Sequence, residues 1–139
     1  MDDPPAAIWH KQNDDSLVLR LSYKNEHILL PADIEAEAEK FLLSEKVPLK
    51  SSILMVPHHG SRTSSSIPFI EAVLPRFAVI SGRVSSPFHL PHPEVIRRYQ
   101  ERGIPLFRTD QEGATTFTLR NDRWKVESYL NGPIAGSQQ

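Results

Sequence analysis

Two adjacent histidines, His58 and His59, directly follow an apolar run and precede a glycine. Neither helix capping nor core packing favours such a pair, so the pair indicates a functional role. Imidazole and carboxylate together suit zinc, manganese or iron, and Asp33 follows the preceding apolar segment. Adjacent residues that leave a strand point to opposite sides, so a metal shared with Asp33 takes one of the two rings. The other ring is expected to lie beside the site or to face a substrate.

Other polar residues also follow apolar runs, but each has an ordinary structural interpretation. Asp33 is placed to cap a helix, His92 to cap the helix that starts at Pro93, and Asp110 to form a hairpin turn in TDQEG. The serines at 64–66 are placed to cap a further helix. For these residues the structural and the functional interpretation both remain open.

The composition is that of one compact globular domain. The chain has 139 residues, of which 39% are hydrophobic and 24% charged, and its net charge is -1. No apolar run reaches the roughly 18 residues that would span a bilayer. Since there is no cysteine, disulfides and thiolate metal sites are excluded, and any metal must be held by histidine and carboxylate ligands.

Apolar periodicity predicts strands that alternate with helices. The predicted strands are 16–23, 26–30, 52–56, 77–81, 104–108, 114–120 and 123–129, and the predicted helices are 34–47, 68–75 and 93–102. Three successive strand–helix–strand units predict an α/β fold with crossover helices, in which side chains after parallel strands meet at one edge of the sheet. We predict a domain over 16–130 with flexible ends at 1–15 and 131–139.

Several segments, spread over about residues 13 to 120, resemble a known family: NDDSLVLRL, LLPADIEAEAE, MVPHHGSRTSSS, FAVISG, PHPEVIRRYQERG and FRTDQEG. They are similar to the C-terminal half of the metallo-β-lactamase-like domain of the competence DNA-uptake channel family (ComEC). The resemblance implies an α/β fold that is the C-terminal half of an αββα sandwich, with a mixed sheet and crossover helices. It also implies a metal-dependent nuclease that degrades one strand of incoming DNA during transformation.

The resemblance assigns roles to individual residues. Asp33 corresponds to the metal-bridging aspartate and His58 to a metal-ligand histidine, while His59 stands beside it as a further catalytic residue. The implied cofactor is a divalent metal, zinc or manganese. Four residues of neighbouring loops are expected to contact the substrate: Ser61, Arg62, Ser64 and His92.

This chain departs from the family pattern at three places. The first metal-binding motif, of the HxxxDH type, does not occur in it. Pro31 and Ala32 precede Asp33 where the family has threonine or a similar residue and then glycine. Leu90 replaces the first histidine of a GHPHP motif, with His89 one position away. Because its metal site is incomplete, we expect the isolated chain to be inactive.

The resemblance also implies partners and a location. They are DNA, the N-terminal half of the domain and a membrane channel, with this domain extracytoplasmic and itself soluble. An exposed apolar face that the N-terminal half would cover predicts self-association. Two alternatives stay open: a non-catalytic nucleic-acid-binding or assembly module with a degenerate metal site, and another hydrolase of the superfamily that acts on a small ester.

Overall fold

The computed structural model describes residues 12–83 and 88–133. Most of the two predicted flexible ends, 1–15 and 131–139, lies outside this range. The parts inside it form regular structure, because Gln12–Asp15 is a 3-10 helix and Gly132–Pro133 pairs with a neighbouring strand.

The strands and helices, in chain order, are β1 (Leu19–Tyr23), β2 (Glu26–Leu30), α1 (Ala36–Ser44), β3 (Ile53–Met55), α2 (Ile67–Val73), β4 (Phe77–Ile80), α3 (Pro93–Gln100), β5 (Leu106–Arg108), α4 (Thr109–Glu112), β6 (Thr115–Arg120), β7 (Arg123–Ser128) and β8 (Gly132–Pro133). A second 3-10 helix, Pro57–Gly60, follows β3 and contains both candidate histidines.

The five strands β1 to β5 form a mixed sheet in chain order. β1 is antiparallel to β2, whereas β2, β3, β4 and β5 are parallel to one another. The helices α1, α2 and α3 connect the three parallel pairs, so the three predicted strand–helix–strand units and the α/β class are confirmed. The four parallel strands therefore bring their carboxyl ends to the edge that carries the histidines.

Two apolar clusters occupy the two faces of this sheet. Leu54 of β3 packs with residues of α1, α2 and α3, including Ala38, Phe69 and Tyr99. The adjacent Ile53 points to the opposite face, as alternation along a strand requires, and packs with Trp124 of the separate sheet β6–β7–β8. The described residues thus form three layers, one of helices and two of sheet. None of the described helices is long and apolar enough to cross a bilayer.

Helix α1 starts two residues later than predicted, and Asp33 is not its N-cap. The N-cap is Glu35. Ala32 has a positive φ of 53°, so the chain turns after Pro31 instead of entering the helix directly. The N–H of Ala36 then donates to Thr63 O at 2.9 Å. Asp33 is consequently left in the connection, where its carboxylate is available for other contacts.

Asp110 also differs from its prediction as a hairpin-turn residue. It lies in the short helix α4, and its two carboxylate oxygens accept from Arg108 at 3.1 and 2.7 Å. The ion pair joins neighbouring residues of β5 and α4, so Asp110 has a structural partner at the carboxyl end of β5.

Strand β1 leaves an apolar face uncovered. Leu19, Leu21 and Tyr23 are 44%, 52% and 67% exposed. Leu21 lies opposite Ile28 and therefore on the face where Ile28 packs against the second sheet cluster. Since β1 is also the edge of the described sheet, its outer backbone groups and this apolar face together favour association.

We expect the isolated chain to self-associate through the β1 face, and Leu21→Lys to lower that tendency because it places a charge at the centre of the face. Sedimentation velocity over a range of concentrations measures the effect. Leu74→Lys is the matched control, since Leu74 is 63% exposed but is not on this face. A monomeric wild-type chain at every concentration would contradict the expectation.

Candidate functional site

Asp33 and His59 form a pair at the carboxyl edge of the sheet. The His59 Nε2 atom lies 3.6 Å from Asp33 Oδ1, and His59 Nδ1 lies 2.8 Å from the carbonyl oxygen of Ser81, just after β4. A carbonyl only accepts hydrogen bonds, so Nδ1 carries the proton and, in the neutral ring, Nε2 has the lone pair. A lone pair that faces a carboxylate at this distance is favourable only with a proton or a cation between them.

The geometry of this pair suits a shared cation. Zinc bonds to imidazole nitrogen and carboxylate oxygen are about 2.0 to 2.2 Å long, so two ligands of one tetrahedral ion lie roughly 3.4 Å apart. Metal-ligating histidines commonly donate their other ring N–H to a backbone carbonyl, as His59 does to Ser81. Asp33 was predicted to share a metal with His58, but the ring beside Asp33 is that of His59.

The two rings diverge because the backbone is left-handed at both residues. His58 has φ 49° and His59 has φ 54°, and Gly60 follows with φ 79°. A non-glycine residue in this region costs about 1–2 kcal/mol and persists only where surrounding contacts enforce it. Here the His58 N–H donates to Ala32 O at 3.0 Å and the Ser61 N–H donates to His58 O at 2.9 Å. The candidate site therefore contains two consecutive strained residues.

His58 turns instead towards Glu35, a buried carboxylate at the start of α1. Its Nδ1 lies 3.4 Å from Glu35 Oε1. Asn13, in the first 3-10 helix, lies 3.3 Å from the same oxygen through Nδ2, and Asp14 accepts the Glu35 N–H at 2.7 Å. No sequence signal predicted these three residues as part of the site, because Glu35 fits a first-turn helix residue and the other two precede the first predicted strand.

The serine-rich loop after the histidines is held by internal hydrogen bonds. Ser64 is buried and donates to Pro57 O and Ser61 O, both at 3.0 Å. Its predicted contact with substrate does not fit this position, since the hydroxyl is engaged beneath the surface. The Ser61 hydroxyl lies 3.0 Å from that of Thr63. Arg62 is exposed, so it is the residue of this loop best placed to meet a phosphate.

His92 serves as the N-cap of α3, which confirms its structural interpretation. Its Nδ1 accepts from the Glu94 N–H at 3.2 Å. Its own N–H donates to Gly60 O at 2.9 Å, so His92 also packs beside the histidine turn. Because the ring nitrogen is used in capping, no more than Nε2 is left for the substrate contact predicted for His92. His89, the other histidine of this region, is exposed with φ 53°.

A second buried glutamate, Glu39 of α1, anchors the far end of the loop. Its carboxylate accepts from the Ser65 and Ser66 N–H groups at 2.5 and 2.8 Å. Tyr99 donates to the Ser65 hydroxyl at 3.1 Å, and Arg98 donates to the carbonyls of Ser64 and Ser65. Burial raises the pKa of Glu39, although the hydrogen bonds from Ser65 and Ser66 and the charge of Arg98 oppose the increase.

The raised pKa of Glu39 predicts a pH effect. Between the pKa of the unfolded chain, about 4.5, and the higher folded value, the folded state binds more protons, so the Glu39 contribution to stability falls as pH rises. Relative to Glu39→Gln, which does not titrate, wild type is therefore expected to lose stability as the pH rises above about 4.5. Urea unfolding measures both proteins. Exposed Glu37→Gln should show no such trend, and a wild-type advantage that grows with pH would contradict the assignment.

The donor types present suit a divalent cation, but their number does not complete a metal site. Within residues 12–83 and 88–133, no group of three or more histidine, cysteine or acidic side chains is placed to hold a metal ion. Catalytic zinc ordinarily has three protein ligands. Asp33 and His59 thus fit two positions of a metal site, and the described residues do not provide the rest.

The fold and the site together define an α/β domain with a carboxylate–imidazole pair at the carboxyl edge of its mixed sheet, which is the edge where sheets of this kind bind ligands. No protein-family model matches the chain. It is 33% identical over 118 residues to ComE operon protein 3 of Bacillus subtilis, and 37% identical over 108 residues to competence protein ComA of Neisseria gonorrhoeae. These matches cover 85% and 77% of this chain and support a competence-related family.

The chain is also 37% identical over 119 residues, 85% of its length, to the uncharacterised protein YcaI of Escherichia coli K12. In each of these three proteins the matched region is a small part of the whole, since the chain spans 15–16% of their length. The similarity therefore concerns one segment of much longer proteins.

Proposed function

We propose that this chain is part of a metal-dependent nuclease domain that degrades one DNA strand during competence DNA uptake. The similarity to two competence proteins supports the role in competence. The observation that carries the nuclease proposal is the Asp33–His59 pair, whose 3.6 Å separation and Ser81 hydrogen bond suit two ligands of one cation. The proposed domain is a metallo-β-lactamase-like sandwich. It would lie outside the cytoplasm, attached to a membrane channel.

The helix layer and the two sheets of the described residues support this proposal, and the remaining ligands and layer would come from the rest of a longer protein. Asp33 and His59 would hold a divalent ion, zinc or manganese, which would supply a Lewis acid for phosphodiester hydrolysis. Exposed Arg62 would bind a phosphate oxygen by a charge-assisted hydrogen bond. His58 lies in the same turn as His59, and its carbonyl oxygen accepts a hydrogen bond from the N–H of Ser61 in the serine-rich loop.

The experiment compares the chain with a version extended upstream through an HxxxDH-type motif. Both are incubated with manganese or zinc and single-stranded DNA. We expect metal-dependent cleavage by the extended protein alone, because the described residues provide two ligands where a catalytic ion needs three. Absence of cleavage by a folded, metal-loaded extended protein would contradict the nuclease proposal, and cleavage by the short chain would contradict the ligand count.

A second candidate is a non-catalytic nucleic-acid-binding or assembly module. It is favoured by the incomplete metal site of the described residues and by Leu90 at the position of a family histidine. The metal content of the extended protein separates the two candidates, since the nuclease requires stoichiometric metal and the binding module does not.

A further inference from the structure

A second carboxylate–imidazole pair, Glu35 and His58, lies next to the Asp33–His59 pair. Glu35 is buried, and the His58 Nδ1 atom, 3.4 Å from its Oε1, has almost no exposed surface. The contact is longer and less well aligned than a hydrogen bond. Whether the electrostatic interaction between His58 Nδ1 and Glu35 is attractive or repulsive still depends on the tautomer. An N–H that faces a carboxylate is attracted, whereas a lone pair is repelled.

Asn13 contacts the other ring nitrogen of His58, Nε2. Its side-chain nitrogen, Nδ2, lies 3.3 Å from Glu35 Oε1 and 3.5 Å from His58 Nε2. A carboxylate oxygen only accepts, so the Asn13 atom that faces Glu35 must be the NH₂ group rather than the carbonyl oxygen. That NH₂ group also faces His58 Nε2, which is favourable only if Nε2 has a lone pair.

Both contacts select the same state of the ring, with the proton on Nδ1 and the lone pair on Nε2. We propose that Glu35 is a positioning residue that holds His58 in this Nδ1–H tautomer and keeps Nε2 as a hydrogen-bond acceptor. Glu35 acts directly on Nδ1, and it acts on Nε2 by orienting the Asn13 amide. This is the way a carboxylate fixes the tautomer and orientation of a catalytic imidazole.

The backbone around Glu35 is fixed by two further contacts. Asp14 Oδ1 accepts the Glu35 N–H at 2.7 Å, and the next N–H, of Ala36, donates to Thr63 O at 2.9 Å. These bonds tie Glu35 to the first 3-10 helix on one side and to the serine-rich loop on the other. The carboxylate therefore meets His58 from a fixed position, as a positioning role requires.

A role for His58 Nε2 as an acceptor in DNA cleavage rests on the proposed function, whereas the assignment of the tautomer does not. In the nuclease, Nε2 would accept a hydrogen bond from water or from a substrate hydroxyl at the position now taken by the Asn13 amide. The tautomer is a property of the metal-free chain. A failed nuclease assay would therefore leave it intact, and a wrong tautomer would leave the nuclease proposal intact.

The test measures ring nitrogen-15 chemical shifts of His58 in the metal-free chain at about pH 8.5, where imidazole is ordinarily neutral. In wild type the Nδ1–H form should exceed the Nε2–H form at least roughly tenfold, as expected of a contact with a charged group. Glu35→Met keeps the length of the side chain but removes the acceptor, so it should abolish the preference. Glu35→Gln keeps the shape and removes the charge, so it should reduce the preference.

Glu37→Met is the matched control, because Glu37 lies exposed on the same helix and the substitution is the same. It should leave the His58 tautomer unchanged. A wild-type ring that is mainly in the Nε2–H form would overturn the proposal. So would a preference that survives undiminished in every folded Glu35 variant, and Glu35→Gln provides that measurement if Glu35→Met does not fold.

Discussion

Replacing Asp33 with alanine is expected to lower metal-dependent DNA cleavage by the extended protein by at least about a hundredfold. Loss of residues that only support metal ligands already costs 10- to 100-fold, so loss of a ligand shared with the cation should cost more. His59→Ala should have a similar effect, because His59 Nε2 faces Asp33 Oδ1 at 3.6 Å. Cleavage rates and bound metal, measured on the same preparations, check both variants.

His58→Ala is the matched control that tests which of the two histidine rings binds the metal. It should retain more metal than His59→Ala, since His58 contacts Glu35 rather than Asp33. The family resemblance predicts the opposite order, with His58 as the ligand. Greater metal loss in His58→Ala would therefore favour the resemblance over the geometry of the structure.

Gly60→Ala is expected to destabilise the domain by about 2–5 kcal/mol. A left-handed conformation costs a residue with a side chain about 1–2 kcal/mol, and Gly60 has φ 79°. An added Cβ would also lie 2.7 Å from the Cβ of Pro91, and overpacking of this kind costs a further 1–3 kcal/mol or so. Because Gly60 ends the histidine turn, the same change should displace His59 from Asp33 and lower metal binding.

Gly103→Ala separates the two causes. Gly103 has φ 64°, but an added Cβ would have no neighbour within 4 Å. It should therefore show the backbone cost alone, about 1–2 kcal/mol, with metal binding unchanged. Urea unfolding of both variants gives the comparison. Equal destabilisation by the two substitutions would show that the Pro91 contact relaxes freely.

The sequence by itself determined the order of strands β1 to β7 and of the crossover helices α1 to α3. Continuous apolar runs such as Phe77–Ile80 favoured strands covered on both faces, and the amphipathic segments between them favoured crossover helices. Parallel strands that follow one another in this way must bring their carboxyl ends together. The edge that carries Asp33 and the two histidines therefore follows from local patterns.

Only the tertiary structure decided which side chains meet at that edge. Periodicity does not encode the left-handed backbone of His58 and His59, which turns His59 towards Asp33 and His58 towards Glu35. Asp33 left its predicted N-cap position because Ala36, at the start of α1, bonds to Thr63 of a distant loop.

The proposed positioning role of Glu35 also depends on tertiary structure. Glu35 contacts Asn13 and His58, which are 22 and 23 residues away along the chain. Such contacts depend on how the separate segments pack. A local pattern therefore identified the edge of the sheet, and long-range packing selected the partner of each ring.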